Sequence, residues 1–446
     1  LSVLDLSKAG HQPMESKGER YIIAFNGEIY NHLELRKKLE EFSRDNCTWN
    51  GTSDTETLLA AIETWGIEAT LKFLVGMFAI AIWDKREKTV TLARDRFGEK
   101  PLYYGWVNNS FVFGSELKAI KTFPGFNNPI CRKALSDYLR FLYIPCPKSI
   151  YKDIYKLEPG SFIVVEASRE HYKNVKTHKY WSFANNVQTG TQNRFHNESE
   201  AIESLESALN ESIKSQMLSD VPLGAFLSGG IDSSLIVALM QKQAPYPIKT
   251  FTVAFEESQF DEAPFAKGVA KHLGTDHYEM HVSSLDAQNV ITKIPEIYDE
   301  PFSDSSQIPT YLIAAHAKQE VTVSLSGDAG DELFGGYNRY FWAPRIWNKV
   351  VWMPYFLRDM LGSNLGNISE NSWERIGFFI NKFQKGSKGI DRLGEKVHKL
   401  SEKFINVRSI DDLYFNLLSV SQDPSKVVIG TGDYRYSISD LAEKSP

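Results

Sequence analysis

The sequence predicts two domains of different class, an α+β domain followed by an α/β domain built on a parallel sheet. The chain has 446 residues, more than a single hydrophobic core normally serves. Short strand signals crowd the first part, up to about residue 180, whereas strands alternate with helices after residue 197. Between them, residues 185–197 (NNVQTGTQNRFHN) are polar and show no apolar periodicity. We therefore predict a first domain at residues 1–184, a linker at 185–197 and a second domain at 198–446.

Five apolar runs in the first part predict strands, and the Gly, Asn and Pro residues between them are typical of all-β and α+β proteins. These runs are Tyr21–Phe25, Phe78–Ile82, Thr89–Leu92, Leu102–Tyr104 and Ser161–Val165. Two stretches, His32–Phe42 and Asp54–Trp65, place apolar residues at helical spacing and predict helices. The longest apolar stretch, Phe73–Trp83, is about half of the roughly 20 residues that a membrane helix needs, which favours a buried strand.

The second part predicts a parallel sheet with helices on both faces, because strands and helices alternate along it. The predicted strands are Leu223–Leu227, Ile248–Val253 and Val321–Leu325. The predicted helices are Ser199–Met217, Ser234–Gln243, Ala263–Leu273 and Ile308–Lys318. Beyond residue 340 the chain is helical in pattern and rich in aromatic residues.

Composition and charge exclude several classes of protein. Hydrophobic residues make up 42% of the chain, as is ordinary for a globular protein. Lys and Arg total 50 against 56 Asp and Glu, a net charge of −6, which gives no support for binding nucleic acid or an anionic membrane. Cys47, Cys131 and Cys146 form no C-x-x-C pair, so they are predicted to be reduced thiols of a cytoplasmic protein.

A glycine-rich loop, Ser228–Ser234, follows the predicted strand Leu223–Leu227 and opens a helix. Its glycines let backbone approach phosphate oxygens, and its serines and the helix amino terminus supply donors. Asp232 is suited to hold Mg²⁺ against the same phosphates. The loop lacks the lysine of a Walker loop, which favours a pyrophosphate leaving group over a transferred γ-phosphate. The alternative is a Gly-Ser turn that only caps the helix.

Two further polar stretches are candidates for a functional role. Ser326–Tyr337 follows the predicted strand Val321–Leu325 and carries three acids in a glycine-rich turn. The carboxyl ends of parallel strands share one edge, so this second loop is predicted to face the first, with Mg²⁺ between acids and phosphates; a solvated acidic turn is the alternative. Asp299–Ser306 combines acids and hydroxyls before a helix, which Ser305 or Ser306 could simply cap.

A candidate substrate site in the first part surrounds Asn26 and Gly27. Asn-Gly is first of all a hairpin-turn signal. The functional alternative uses the Asn26 amide and the Gly27 N–H as an oxyanion hole, with Glu28 receiving a substrate ammonium. Asp54 could bind the same amino group, although Ser53 or Asp54 could also only cap the helix that follows.

These motifs, taken together and in this order, resemble the glutamine-dependent asparagine synthetases. The resemblance runs through nearly the whole chain, and it rests on several independent segments. They are Leu1–Leu6, Gly10–Met14, Phe25–His32, Ser53–Glu56, Gly76–Ala79, Ala93–Gly98, Ser228–Ser234, Asp299–Thr310 and Ser326–Tyr337.

The resemblance implies an α+β N-terminal-nucleophile hydrolase sandwich (αββα) for the first domain, which would be a glutaminase. Asn26 and Gly27 match its oxyanion hole, while Asn26, Glu28 and Asp54 match residues that bind glutamine. The second domain is implied to be an α/β adenine-nucleotide α-hydrolase (PP-loop) synthetase. Its implied ATP- and pyrophosphate-binding residues are Phe226, Leu227, Ser228, Gly229, Gly230, Asp232, Ser233, Ser234, Val253, Ser326 and Gly327. Asp232 and Asp331 match metal positions, and Asp328 matches a catalytic acid near the adenylate.

The implied reaction converts aspartate, ATP and glutamine to asparagine, AMP, pyrophosphate and glutamate through β-aspartyl-AMP, with ATP and Mg²⁺ as cofactors. Small molecules are the expected partners, with no nucleic acid and no membrane, and a homodimer is left open. Two alternatives remain: amidation of another carboxylate, such as a sugar acid or a β-lactam precursor, and a catalytically dead nucleotide-binding regulator.

Three departures from the family pattern qualify these expectations. Leu1 aligns inside the glutaminase domain, so the catalytic cysteine and a carboxylate-binding arginine would precede it, and this chain is predicted not to hydrolyse glutamine. Asp328 stands where many members have glutamate. The chain also stops before the carboxy-terminal helical segment in which the family has its catalytic lysine.

Overall fold

The structure is a computed structural model that describes residues 3–43, 48–166, 175–256, 261–367, 372–373, 401, 403–404, 406–432 and 434. The chain forms two compact units. The first comprises Leu1–Ile130, Cys146–Glu300 and Asp304–Asp328; the second comprises Cys131–Pro145, Pro301–Ser303 and Ala329–Pro446. Because both predicted domains contribute to the first unit, the division at residues 185–197 stays a prediction.

The strands, in chain order, are β1 (Met14–Glu15), β2 (Tyr21–Ile29), β3 (Gly76–Asp84), β4 (Thr89–Arg94), β5 (Tyr103–Val107), β6 (Ser110–Gly114), β7 (Ile154–Lys156), β8 (Ser161–Glu166), β9 (Thr177–Lys179), β10 (Leu223–Phe226), β11 (Lys249–Phe255), β12 (Asp276–Val282) and β13 (Val323–Leu325).

The helices, in the same order, are α1 (His32–Ser43), α2 (Asp54–Trp65), α3 (Ile67–Phe73), α4 (Leu117–Lys121), α5 (Arg132–Phe141), α6 (Phe183–Gln192), α7 (Glu198–Gln216), α8 (Ile231–Gln243), α9 (Ala263–Leu273), α10 (Ser284–Ile291), α11 (Ile294–Ile297), α12 (Gln307–Ala317), α13 (Gly330–Phe334), α14 (Asn338–Val350), α15 (Tyr355–Asn367) and α16 (Ile410–Leu418). None of the described helices is long and apolar enough to cross a bilayer.

A six-stranded sheet of order β1-β2-β3-β4-β8-β9 forms the centre of the first half, and all of its pairings are antiparallel. Side chains alternate along β3, so Phe78 and Ile80 face one core and Ala79 faces another. The first core includes Leu58 of α2, and the second includes Tyr104 of β5, in the separate sheet β6-β5-β7. Two packed sheets flanked by helices confirm the predicted α+β sandwich.

The Asn-Gly pair does not form a hairpin, so that alternative is wrong. Strand β2 continues through it, with Asn26 opposite Ala79 and Gly27 opposite Phe78. A Cβ on residue 27 would lie 2.0 Å from the Met77 carbonyl oxygen, so glycine is required by close strand approach rather than by a turn. Pairing with the central strand β3 thus overrides the local turn preference.

A four-stranded parallel sheet of order β12-β11-β10-β13 confirms the prediction for the second half. Ala225 of β10 packs with α7, α8 and α9 on one face, and Phe251 of β11 packs with α12 on the other. The edge strand β12 was not predicted, because its sequence DHYEMHV is too polar to resemble a buried strand.

The polar stretch after residue 182 is partly helical. Helix α6 has no buried residue, and the Ser182 hydroxyl caps it by accepting a bond from the Asn185 N–H at 3.4 Å. A capped but fully exposed helix gives no apolar periodicity, so the pattern alone could not indicate it.

The second compact unit is helical and rich in aromatic contacts, as predicted for the region beyond residue 340. Tyr340 of α14 stacks on Tyr414 of α16 with ring centroids 6.2 Å apart. Phe141 of α5 meets Phe415 edge-on at 5.7 Å. The side chain of Arg140 is buried and donates to the Ser419 hydroxyl at 3.2 Å.

Candidate active sites

A small polar cavity lies between strand β2 and the segment that leads into α2. It brings together three of the residues predicted to act on glutamine: Gly27, Glu28 and Asp54. The remaining lining residues are Val3, Leu4, Gly10, Gln12, Phe25, Ser53 and Thr55.

Glu28 is suited to hold a substrate ammonium group. Its side chain is buried, and Oε1 has no hydrogen-bond partner among the residues that the structure describes. Burial, together with repulsion from Asp54, raises the pKa of Glu28 to about 7, against an opposing attraction from Lys100. A buried carboxylate without a partner is costly, so a cationic ligand would satisfy it.

Asp54 lies at the first position of α2 and faces the same cavity. Its Oδ2 accepts a bond from the Ile29 N–H at 2.9 Å, which ties the helix start to the end of β2. Burial raises the pKa of this carboxyl group as well. Capping is performed by Ser53, whose hydroxyl accepts from the Thr55 N–H at 3.1 Å. Ser53 therefore caps the helix, which leaves Asp54 free to face the cavity.

The Asn26 amide is held by a residue that sequence patterns did not indicate. Its Nδ2 donates to the Ser115 hydroxyl at 3.0 Å, and Asn26 is not among the residues lining the cavity. Gln12 was also missed: its Oε1 accepts from the Phe25 N–H at 2.6 Å and it lines the cavity. Gln12 lies in the segment Gly10–Met14, which belongs to the family resemblance and could have indicated it. No sequence motif indicates Ser115.

The glycine-rich loop Ser228–Ser234 joins β10 to α8 and is organised by its own serines. The Ser228 and Ser233 hydroxyls lie 2.9 Å apart, and the Gly230 N–H donates to Ser228 at 3.2 Å. Gly230 occupies the N-cap position of α8 and no side chain caps that helix, so the predicted capping alternative is wrong. The Ser234 hydroxyl is buried without a hydrogen-bond partner among the described residues. An anion at the helix start would satisfy these donors.

Gly229 shapes this loop through its backbone. Its φ is +82°, and a Cβ there would lie 2.7 Å from the Ala266 nitrogen on α9. Both the left-handed conformation and the close approach require glycine.

The second loop touches the first, as predicted from their places at one sheet edge. Strands β10 and β13 are parallel neighbours. A Cβ on Gly327 would lie 2.8 Å from the Ser233 nitrogen and 3.0 Å from the Asp232 carbonyl carbon. The Ser326 hydroxyl donates to Asp328 Oδ2 at 2.9 Å, which folds the exposed Asp328 back over the end of β13.

The residues predicted to line the adenine site occupy different surroundings. Phe226, at the end of β10, is half-buried against the core on the α12 face. Leu227 is 1% exposed and its side chain lies in the core on the opposite face. Val253 of β11 is half-buried against a third cluster that includes Leu312. Adenine contact by these residues stays a prediction.

The candidate metal ligands lie in separate units. Asp232 is half-buried in the first turn of α8, and Asp331 lies in α13 of the second unit. No group of three or more His, Cys, Asp or Glu side chains suited to a metal occurs in the described part of the chain. The donors around Asp232 are hard oxygens, which fit Mg²⁺ completed by phosphate oxygens.

The acidic residues that begin the stretch Asp299–Ser306 bond to residues of the amino-terminal half of the chain. Ser306 occupies the N-cap position of α12, as predicted, but its side chain makes no cap bond. Glu300 pairs with Lys156 at 2.5 Å and accepts from the Ile150 N–H at 2.7 Å. Burial raises the pKa of Glu300, and the neighbouring Lys156 opposes that rise. Asp299 likewise bonds to the amino-terminal part of the chain.

None of the described residues that line the polar cavity beside β2 is a cysteine. Cys131 and Cys146 are free thiols, and burial raises the pKa of Cys146 to about 11, which disfavours a nucleophilic thiolate. Cys47 lies outside the described residues.

Comparisons with known families match both halves of the chain. The asparagine synthase family matches residues 204–427, and the glutamine amidotransferase domain family matches residues 1–181.

Curated relatives agree with these matches. Asparagine synthetase (glutamine-hydrolysing) 1 of Bacillus subtilis is 40% identical over 340 residues, covering 76% of this chain and 51% of its own length. A putative asparagine synthetase (glutamine-hydrolysing) 2 of Methanocaldococcus jannaschii is 36% identical over 382 residues, covering 82% and 70%. A putative asparagine synthetase of Mycobacterium tuberculosis is 35% identical over 373 residues, covering 81% and 55%. The chain thus spans about half the length of two of these relatives. With both family matches in order, the chain belongs to the asparagine synthase family and carries that family's glutamine amidotransferase domain ahead of its synthase region.

Proposed function

We propose that the protein containing this chain makes an amide from a carboxylate, ATP and glutamine-derived ammonia, and that the carboxylate is aspartate. The observation that carries the proposal is the contact of two glycine-rich loops at the carboxyl edge of the parallel sheet. Gly327 approaches Ser233 and Asp232 there, and next to them in α8 is the Ser234 hydroxyl, which has no hydrogen-bond partner in the described part of the chain. Ligands of open α/β sheets bind at this edge.

The loop Ser228–Ser234 favours cleavage between the α- and β-phosphates of ATP. The β-carboxylate oxygen of aspartate attacks the α-phosphorus, and the bond to the pyrophosphate oxygen breaks. Serine hydroxyls and the N–H groups that begin α8 stabilise the leaving pyrophosphate, because they are donors fixed before the reaction. Ammonia then attacks the acyl carbon of β-aspartyl-AMP, loses a proton and displaces AMP.

Asp232 is the residue that we propose to hold Mg²⁺ beside these phosphates; Asp331 stays a prediction from the family resemblance. When bound, the ion would neutralise charge on the pyrophosphate. Asp328 is shorter by one methylene than the glutamate of many family members, and we propose that it acts near the adenylate.

The glutamine half binds substrate through the cavity beside β2. Glu28 and Asp54 receive the α-ammonium group of glutamine, and the Gly27 N–H with the Asn26 amide stabilises the oxyanion. Because no cysteine is among the described lining residues, we propose that these residues bind glutamine and stabilise the oxyanion but do not supply the nucleophile.

The test uses the full-length protein with ATP, Mg²⁺ and ammonium ions, and compares aspartate with other carboxylates. We expect pyrophosphate, AMP and asparagine in equal amounts, and only when aspartate is present. Pyrophosphate release with a different carboxylate would overturn the choice of aspartate. Nucleotide binding without carboxylate-dependent pyrophosphate would indicate a regulator and overturn the proposed reaction.

A further inference from the structure

Two aspartates from the synthase region bond directly to the backbone of the glutamine amidotransferase region. Asp220 lies between α7 and β10, the strand that carries the pyrophosphate loop. Asp299 lies between α11 and α12, and α12 leads to β13 and the second loop. All of these contacts lie within the first compact unit.

Asp220 holds one wall of the glutamine cavity. Its Oδ2 accepts from the Asp5 N–H at 2.8 Å, and its own N–H donates to the Val3 carbonyl at 3.0 Å. These two bonds bracket Leu4, and both Val3 and Leu4 line the cavity. Asp5 continues the connection, since its Oδ2 accepts from the Thr52 N–H at 2.8 Å, two residues before Asp54.

Asp299 holds the residue that orients the Asn26 amide. Its Oδ2 accepts from the Leu117 N–H at 2.5 Å and its Oδ1 from the Lys118 N–H at 3.3 Å, at the start of α4. Ser115, two residues before Leu117, accepts the hydrogen bond from Asn26 Nδ2. Fixing the start of α4 therefore fixes the acceptor that aims Asn26.

We propose that Asp220 and Asp299 are positioning residues through which the synthase region keeps the glutamine site in its binding shape. The inference rests on the proposed function. Bonds from backbone N–H groups to a carboxylate are charge-assisted and stronger than neutral ones, so each aspartate fixes a segment next to the cavity. Loss of either bond loosens glutamine binding and leaves the nucleotide loops intact, because none of the hydrogen bonds described for the two aspartates involves a loop residue.

Glu300 provides a matched control, because it also bonds the synthase region to the amidotransferase region. It bonds to Lys156, Ile150 and Tyr103, none of which lines the glutamine cavity. Glu300→Gln keeps an acceptor oxygen for the Ile150 N–H but removes the charge that pairs with Lys156. A general loosening of the interface would therefore appear in this variant too.

The experiment uses the full-length protein carrying Asp220→Ala, Asp299→Ala, Asp220→Asn, Asp299→Asn or Glu300→Gln. Pyrophosphate formation is measured with glutamine and, separately, with ammonium as nitrogen source; glutamate binding is measured by calorimetry. We expect the Ala variants to raise KM for glutamine at least tenfold and weaken glutamate binding similarly. Their ammonium-driven rate should stay within twofold of wild type.

The Asn variants retain one acceptor oxygen and should recover most of the affinity, while Glu300→Gln should leave KM for glutamine unchanged. Equal loss with both nitrogen sources, or unchanged glutamine and glutamate affinity, would overturn the inference. If an Ala variant does not fold, the Asn variant at the same position is used instead. We then expect a two- to fivefold rise in KM for glutamine, and an unchanged KM would overturn the inference. Absence of ammonium-driven, aspartate-dependent pyrophosphate in the wild type would defeat the proposed function instead, which keeps the two failures distinct.

Discussion

At the level of single residues, Glu28 shows a conflict between stability and binding. The carboxyl group is buried beside Asp54, and its pKa is raised to about 7. A folded-state pKa above the unfolded value means that the fold prefers the protonated form, so this group's contribution to stability is full below about pH 4.5 and is lost as pH rises through 7. Above pH 7 the carboxylate is charged, which is the form that the proposed binding of a substrate ammonium group needs.

Glu28→Gln should therefore stabilise the free protein at pH 8, because the amide cannot ionise. We expect a gain on the order of 1–3 kcal/mol in the free energy of unfolding, shrinking towards pH 5. Thermal or urea unfolding at the two pH values measures it. Glu34→Gln, on the exposed face of α1, should change stability by less than about 0.5 kcal/mol at both.

The same Glu28→Gln variant should bind glutamine weakly and with little pH dependence, whereas wild-type affinity should rise between pH 6 and pH 8. Calorimetric titration with glutamate, which has the same α-ammonium group, checks this. If wild type and variant bind glutamate with equal affinity and with the same dependence on pH, Glu28 does not receive the ammonium group.

Asp232 is the residue on which the nucleotide chemistry is expected to depend most directly. Asp232→Ala should abolish pyrophosphate formation by the full-length protein. Asp276→Ala is the matched control, because Asp276 begins β12 at the opposite, amino-terminal edge of the sheet. Unchanged pyrophosphate formation in Asp232→Ala would mean that the loop Ser228–Ser234 has another purpose.

At the level of secondary-structure elements, the contact between the two glycine-rich loops depends on Gly327. The methyl group of Gly327→Ala would meet the Ser233 nitrogen at 2.8 Å and push the loops apart. We expect a cost of about 1–3 kcal/mol in stability and a rise in KM for ATP. The steady-state rate of pyrophosphate formation at varied ATP concentration measures that rise.

Gly268→Ala is the control for this change, because it lies within α9 and a Cβ there meets no atom within 4 Å. That substitution should stabilise the protein by about 0.5–1 kcal/mol, as alanine usually does in a helix. If both variants raise KM for ATP alike, loop contact is not the cause.

The sequence predicted those elements whose apolar spacing is regular, and its failures have physical causes. Helices α2 and α9 were predicted to the residue, because each has apolar residues at helical spacing and is followed by a glycine. Strand β12 was missed because an edge strand needs few apolar residues. The Asn-Gly turn was overridden by pairing of β2 with β3, a contact between distant residues that local pattern cannot indicate.

Site residues were predictable where a motif carried them and not where a tertiary contact did. Glu28 and Asp54, which sequence motifs indicated, line the same cavity. The bond from Asn26 to Ser115 joins residues 89 positions apart, and Asp299 bonds to Leu117 across 182. Nothing near Ser115 in sequence indicates its partner, so only the folded chain brings these residues together.

At the level of the whole molecule, the polar cavity beside β2, the loop Ser228–Ser234 and Gly327 lie in one compact unit, within which Asp220, Asp299 and Glu300 bond the synthase region to the amidotransferase region. Ammonia is mostly protonated at neutral pH, so an enzyme that generates it beside an acyl-adenylate uses it before protonation. The loop Ser228–Ser234 lacks the lysine of a Walker loop, so we predict that the chemistry there is adenylation rather than phosphorylation of the carboxylate.

The most direct test supplies the full-length protein with aspartate labelled with ¹⁸O in its β-carboxylate, together with ATP, Mg²⁺ and ammonium. Attack on the α-phosphorus transfers one labelled oxygen to AMP when ammonia displaces it. Mass spectrometry should find ¹⁸O in AMP and none in pyrophosphate. Label in inorganic phosphate, with ADP as the nucleotide product, would contradict the assignment of Ser228–Ser234 as a pyrophosphate-binding loop.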